Sequence, residues 1–86
     1  MFSHHEVEAV YDQFGNLIVR TPCIYSPYLS QLIKGRAYLK LENMQKTGSF
    51  KERGVLSFLL HHKDQEIRHV VTASAGNHAQ AVALHA

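Results

Sequence analysis

The chain has 86 residues, 45% apolar and 19% charged, with a formal net charge of +2; this excludes a disordered tail and gives no electrostatic case for nucleic acid or an anionic membrane surface as partner. Its single cysteine, Cys23, excludes a disulfide framework or a cysteine zinc site and fits a reducing compartment. No apolar run reaches membrane-spanning length, and the opening Met1-Phe2-Ser3-His4-His5-Glu6 lacks a basic n-region and a following apolar core, so a soluble cytoplasmic chain is expected.

In chain order, Val7, Val10, Tyr11 and Phe14 recur at helical spacing and predict a helix over 4–14, broken by Gly15-Asn16. Leu17 to Val19 is a short apolar run, and Arg20-Thr21-Pro22 reads as extended because the residue before proline avoids the helical region. Ser26-Pro27 opens a second helix, with serine as N-cap and proline at the first helical position, and Lys34-Gly35 closes it. Ala37 to Leu41 alternates as a strand. Ser49 and Glu52 form a capping-box signature, predicting a helix from Ser49 to about His62. Val70-Val71-Thr72-Ala73 reads as a short buried strand, and Ser74 to Asn77 as a tight connection into a final helix. The run from His78 to Ala86 ends without a glycine or proline exit signal, so residues 1–86 are expected to be the amino-terminal portion of an incomplete domain.

From residue 37 onward the order is strand, helix, strand, helix. This predicts an α/β fold built on a parallel βαβ unit with a right-handed crossover. Loops 43–49 and 74–77 would then leave the carboxyl ends of parallel strands, the edge where open α/β sheets bind ligands. They are expected side by side on one rim.

Two segments carry the chemistry. The capping box places Lys51 in the first helical turn, where the positive end of the macrodipole disfavours an ammonium, and Phe50 is expected to add apolar cover. A neutral amine is the form that Schiff-base chemistry with a carbonyl requires; on position alone, a solvated surface lysine is the ordinary alternative. Ser74-Ala75-Gly76-Asn77-His78 is a small polar turn feeding a helix, suited to a carboxylate or phosphate. Gly76 allows close backbone approach and Asn77 offers both a donor and an acceptor. Taken alone, the turn also fits a plain N-cap.

Leu39-Lys40-Leu41-Glu42-Asn43-Met44-Gln45-Lys46-Thr47-Gly48-Ser49-Phe50-Lys51-Glu52-Arg53-Gly54, followed by Thr72-Ala73-Ser74-Ala75-Gly76-Asn77-His78-Ala79-Gln80, resembles the threonine and serine dehydratase (ammonia-lyase) group. These are pyridoxal-phosphate enzymes of the tryptophan synthase β-like fold. Arg20-Thr21-Pro22 and Ser26-Pro27-Tyr28-Leu29-Ser30 fit the same pattern, so the likeness covers nearly all of residues 17–86. It implies that Lys51 holds pyridoxal phosphate through a Schiff base and acts as general base, with Phe50 and Asn77 at the cofactor. It implies that Ser74, Ala75, Gly76, Asn77 and His78 bind the substrate carboxylate, and that water and then ammonia leave L-threonine or L-serine to give a 2-oxo acid. A homo-oligomer is implied for the full-length enzyme.

The family's glycine-rich phosphate loop and its partner for the pyridine nitrogen belong downstream of Ala86. The 86 residues alone are therefore expected to be inactive and to fold poorly or self-associate. In serine racemases of this fold the turn resembles Ser-Ser-Gly-Asn-His, and the second serine supplies a base on the opposite ring face. Ala75 has no proton to exchange, which favours elimination over racemisation.

The seven histidines do not assemble a metal-ligand set at helical spacing, so no metal is expected. Gly48-Ser49-Phe50-Lys51 lacks the Walker spacing, and Cys23 reads as a small buried apolar residue. The alternative from another class is a non-catalytic truncated product that binds a subunit through an unfinished sheet edge.

Overall fold

The computed structural model describes residues 2–86. Helix α1 (His4–Phe14) opens on a capping box: Glu6 N–H donates to Ser3 Oγ (3.2 Å) and Ser3 N–H donates back to Glu6 Oε2 (3.0 Å). It ends at Gly15, whose φ of +54° lies in the left-handed region that suits glycine. A 3-10 turn over Gly15–Leu17 follows. Phe14, Ile18 and Leu56 form the buried core, with Val10, Tyr11 and Leu60 packed against it. Of the α1 face read from sequence, the core covers Val10, Tyr11 and Phe14, while Val7 stays exposed.

Strands β1 (Cys23–Tyr25) and β2 (Tyr38–Lys40) pair antiparallel, with Cys23 opposite Lys40, Ile24 opposite Leu39 and Tyr25 opposite Tyr38. Between them runs α2 (Pro27–Ile33). Ser26 Oγ accepts the Leu29 N–H (3.2 Å), and Pro27 takes the position where a missing N–H costs nothing. Lys34 closes α2 in the left-handed conformation, at φ +53°. The buried Ser30 accepts the Ala37 N–H on its Oγ (2.8 Å), tying α2 to the entry of β2.

Helices α3 (Lys51–His61) and α4 (Asn77–His85) pack on each other, and α1 rests on α3.

Two expectations are corrected here. Mixed helix and strand agrees with the α/β class, but among the described residues the one strand pairing is antiparallel and no parallel βαβ unit is present. Residues 70–73 carry no strand among the described residues, and β2 pairs backward with β1. Val71 is 95% exposed. A parallel strand of four residues has no hairpin to hold it in register and depends on neighbours on both edges, whereas β1 and β2 are joined by a compact helical link. Cys23, expected to be buried, is exposed on β1.

Candidate functional site around Lys51 and the 74–78 turn

The approach to Lys51 is a loop pinned from both sides. Gln45, 4% exposed, accepts the Val19 N–H on Oε1 (3.1 Å) and donates from Nε2 to Val19 O (2.9 Å). It thereby copies a strand edge with its side-chain amide. Gly48 N–H donates to Gln45 O (2.8 Å), and Gly48 adopts φ +74°, a left-handed conformation that favours glycine. Just upstream, Glu42 accepts from Thr21 Oγ1 (2.6 Å), from Arg53 Nε (2.8 Å) and Nη2 (3.0 Å), and from Gln45 Nε2 (3.2 Å). The Arg53 hydrogen bond is the largest influence on its carboxyl; burial opposes it, Thr21 and Gln45 reinforce it, and the pKa is lowered to about 2.

The start of α3 departs from the capping box read in the sequence. Phe50 is the N-cap and makes no side-chain cap bond; Ser49, buried, accepts the Lys51 N–H on Oγ (3.2 Å). Glu52 does not return to Ser49. Its Oε1 accepts both the N–H and the Oγ1–H of Thr47, the latter at 2.6 Å, while its Oε2 lies 2.9 Å from His85 Nε2. Glu52 is fully buried, and burial raises its pKa, but the bonds from Thr47 and His85 outweigh that and hold the carboxyl below its ordinary range. An ionised carboxylate only accepts, so His85 Nε2 carries the hydrogen in this pair.

Lys51 stands in the first turn of α3, as expected from sequence, and is exposed. Among the described residues it enters no ion pair. Phe50 is 64% exposed and gives little of the expected apolar cover.

At the second segment, Gly76 N–H donates to Ser74 Oγ (3.1 Å), and α4 begins at Asn77 with Gly76 as N-cap and no side-chain cap. The first-turn N–H groups of α4 are thus free of a capping side chain, the arrangement that receives an anion. Ser74, Ala75 and Asn77 are exposed; Gly76 and His78 are half-buried. His78 lines a cleft of about 300 Å³ with Val55, Phe58, Val70, Thr72 and Val82.

The expected rim is not assembled. No hydrogen bond joins Lys51 to residues 74–78, and Lys51 does not line the His78 cleft. The first turn of α3 instead meets the last turn of α4 through Glu52 and His85. A shared rim needs strand 70–73 paired parallel beside β2, and that ladder is absent here.

The sequence reading missed Glu52 and His85 as a buried pair. One signal was available: Glu52, Val55 and Leu56 fall at positions i, i+3 and i+4, so Glu52 shares the face that α3 buries.

Residues 15–86 match the model of a family described as pyridoxal-phosphate dependent enzyme. The chain is 46% identical over 85 residues to the L-threonine ammonia-lyase of Thermotoga maritima, covering 98% of this chain and 21% of that protein. It is 53% identical over 81 residues to the catabolic L-threonine dehydratase TdcB of Staphylococcus aureus, covering 92% of this chain and 23% of that one. Among solved structures, a pyridoxal 5'-phosphate-dependent aspartate racemase superposes with a TM-score of 0.76 at 38% identity, covering 92% of this chain and 26% of that one. Maize serine racemase gives 0.76 at 31% identity, covering 93% and 26%. The chain thus spans about a fifth to a quarter of the length of these proteins. With the family's match running through the Lys51 turn and the 74–78 turn alike, this chain belongs to the pyridoxal-phosphate-dependent enzymes.

Proposed function

We propose that this chain is the lysine-bearing, amino-terminal part of a pyridoxal-phosphate-dependent ammonia-lyase acting on L-threonine or L-serine. The observation that carries the reading is Lys51: an exposed amine without an ion-pair partner among the described residues, on the first turn of α3. The 46–53% identity to proteins named threonine ammonia-lyase and threonine dehydratase supports the reaction class.

Two separate features fit the cofactor, and the structure does not bring them to one rim. An unpaired primary amine suits its aldehyde, and the uncapped start of α4 suits an anionic group. Lys51 and Asn77 would hold the cofactor, with Phe50 beside it. When bound, pyridoxal phosphate supplies an electron sink for the carbon that loses its proton.

This chain's own residues would contribute the following. Lys51 Nζ takes the α-proton of the substrate as general base. Ser74, Ala75, Gly76, Asn77 and His78 form the turn and helix start that would grip the substrate carboxylate. Ala75 has no titratable group, so no proton returns from that side chain. This favours elimination, although the two solved structures named above are racemases.

The test is borohydride reduction of the full-length enzyme, followed by peptide mapping. Cofactor mass is expected on the Lys51 peptide, and Lys51→Ala is expected to lose both the label and 2-oxo acid release from L-threonine. Label retained in Lys51→Ala would overturn the assignment.

A further inference from the structure

Glu52 is a fully buried carboxylate one residue from the proposed cofactor lysine, and the chemistry above does not use it. A buried charge is costly unless its acceptor capacity is filled, and here every partner has a position that matters. On one side, Oε1 takes the backbone N–H and side-chain hydroxyl of Thr47. The Thr47–Glu52 closure encircles Gly48, Ser49, Phe50 and Lys51. Within it, the Lys51 N–H is also held by Ser49 Oγ, and Gly48 is held to Gln45 O. The backbone that carries Lys51 is therefore held on both sides of the residue while its side chain stands in solvent. On the other side, Oε2 holds His85, whose side chain is 5% exposed, at the last turn of α4. Helix α4 carries the 74–78 turn at its opposite end.

We propose that Glu52 is a positioning residue, fixing the backbone of the Thr47–Lys51 turn and, through His85, holding the helix that bears the 74–78 turn against the lysine's helix. This rests on the role proposed for Lys51. A displaced lysine stem moves Nζ relative to the proton it takes, and misplacement on the scale of an ångström costs on the order of a hundredfold in rate. A role confined to folding would lower stability and leave rate and cofactor orientation in the folded enzyme unmoved.

The experiment compares Glu52→Gln, Thr47→Val, His85→Phe and His85→Gln in the full-length enzyme loaded with pyridoxal phosphate. Three readouts are taken on each: borohydride fixation mapped to Lys51, the visible circular dichroism of the bound cofactor, and kcat against KM for L-threonine. Glu52→Gln and His85→Phe are expected to lower kcat roughly tenfold or more while KM moves less than about threefold, with reduced cofactor dichroism and Lys51 still labelled. Thr47→Val, which leaves the backbone N–H in place, is expected to lose less. His85→Gln keeps a donor for Oε2 and is expected to recover most of the loss. If Glu52→Gln does not fold, Thr47→Val and His85→Phe decide, since each removes one bond to the carboxylate. Lower melting temperatures with kcat and dichroism unmoved would overturn the positioning role while leaving the Lys51 assignment intact. Label on another lysine in the unmutated enzyme would overturn that assignment and this inference with it.

Discussion

Glu42 offers a quantitative test of what ties the loop before α3 to the rest of the chain. Its carboxylate is gripped by the Arg53 guanidinium through two bonds and by Thr21 and Gln45, and its side chain is only 15% exposed. The pKa falls from 4.5 to about 2. At about 1.4 kcal/mol per pKa unit, that difference corresponds to about 3 kcal/mol of stability present when the group is ionised in both states. A depressed folded pKa contributes fully above the unfolded value and is lost as pH falls through the folded one, because the unfolded chain takes up the proton first. The window is therefore pH 4.5 down to about 2. At about pH 3.5, one unit below the unfolded value, about 1.4 kcal/mol of it is gone. The assay is urea unfolding of the full-length protein that carries this chain, and of its Glu42→Gln variant, at micromolar concentration, followed by circular dichroism. The expected difference is up to about 3 kcal/mol near pH 7, shrinking by about 1.4 kcal/mol near pH 3.5. Other carboxylates titrate alike in both chains and cancel. An equal difference at the two pH values would refute the reasoning, since the cluster would then act by shape and neutral hydrogen bonds alone.

Other outcomes follow from the same contacts. Leu56→Ala removes the centre of the Phe14–Ile18–Leu56 cluster and is expected to cost about 2–5 kcal/mol, read as a lower urea midpoint with little change in slope. Ala75→Ser in the full-length enzyme is expected to raise D-serine formation from L-serine relative to 2-oxo acid release, measured by chiral chromatography; an unmutated enzyme that racemises as fast as it eliminates would contradict the argument from Ala75. Lys40→Met removes the bond from Lys40 Nζ to Thr21 O (2.6 Å) and is expected to lower stability while borohydride label stays on Lys51.

Local chemistry was legible where a few adjacent residues settle the matter. Helix α1 was readable from the helical spacing of Val7, Val10, Tyr11 and Phe14, and helix α2 from its start, where Ser26 caps through a neighbour three positions on and Pro27 pre-sets the backbone. Lys51 does lie in the first turn of α3, although the Ser49–Glu52 capping box that placed it there does not form; the turn ahead of α4 was readable from its small polar residues, and the two long motifs sufficed to indicate the pyridoxal-phosphate family.

What the tertiary structure decided involves partners far apart in sequence. Strand β1 escaped the reading because three residues acquire strand geometry only by pairing with Tyr38–Lys40. Residues 70–73 have the composition of a strand, but a parallel ladder requires neighbours that composition cannot supply. Ser49 and Glu52 have the spacing of a capping box, yet the box forms at Ser3 and Glu6, on an exposed helix start. Glu52 faces the interior, where Thr47 and His85, the latter 33 residues away, satisfy it. Spacing offered Glu52 a bond back to Ser49; burial decided the bonds it makes, because a carboxylate taken out of water has to have its acceptor capacity met.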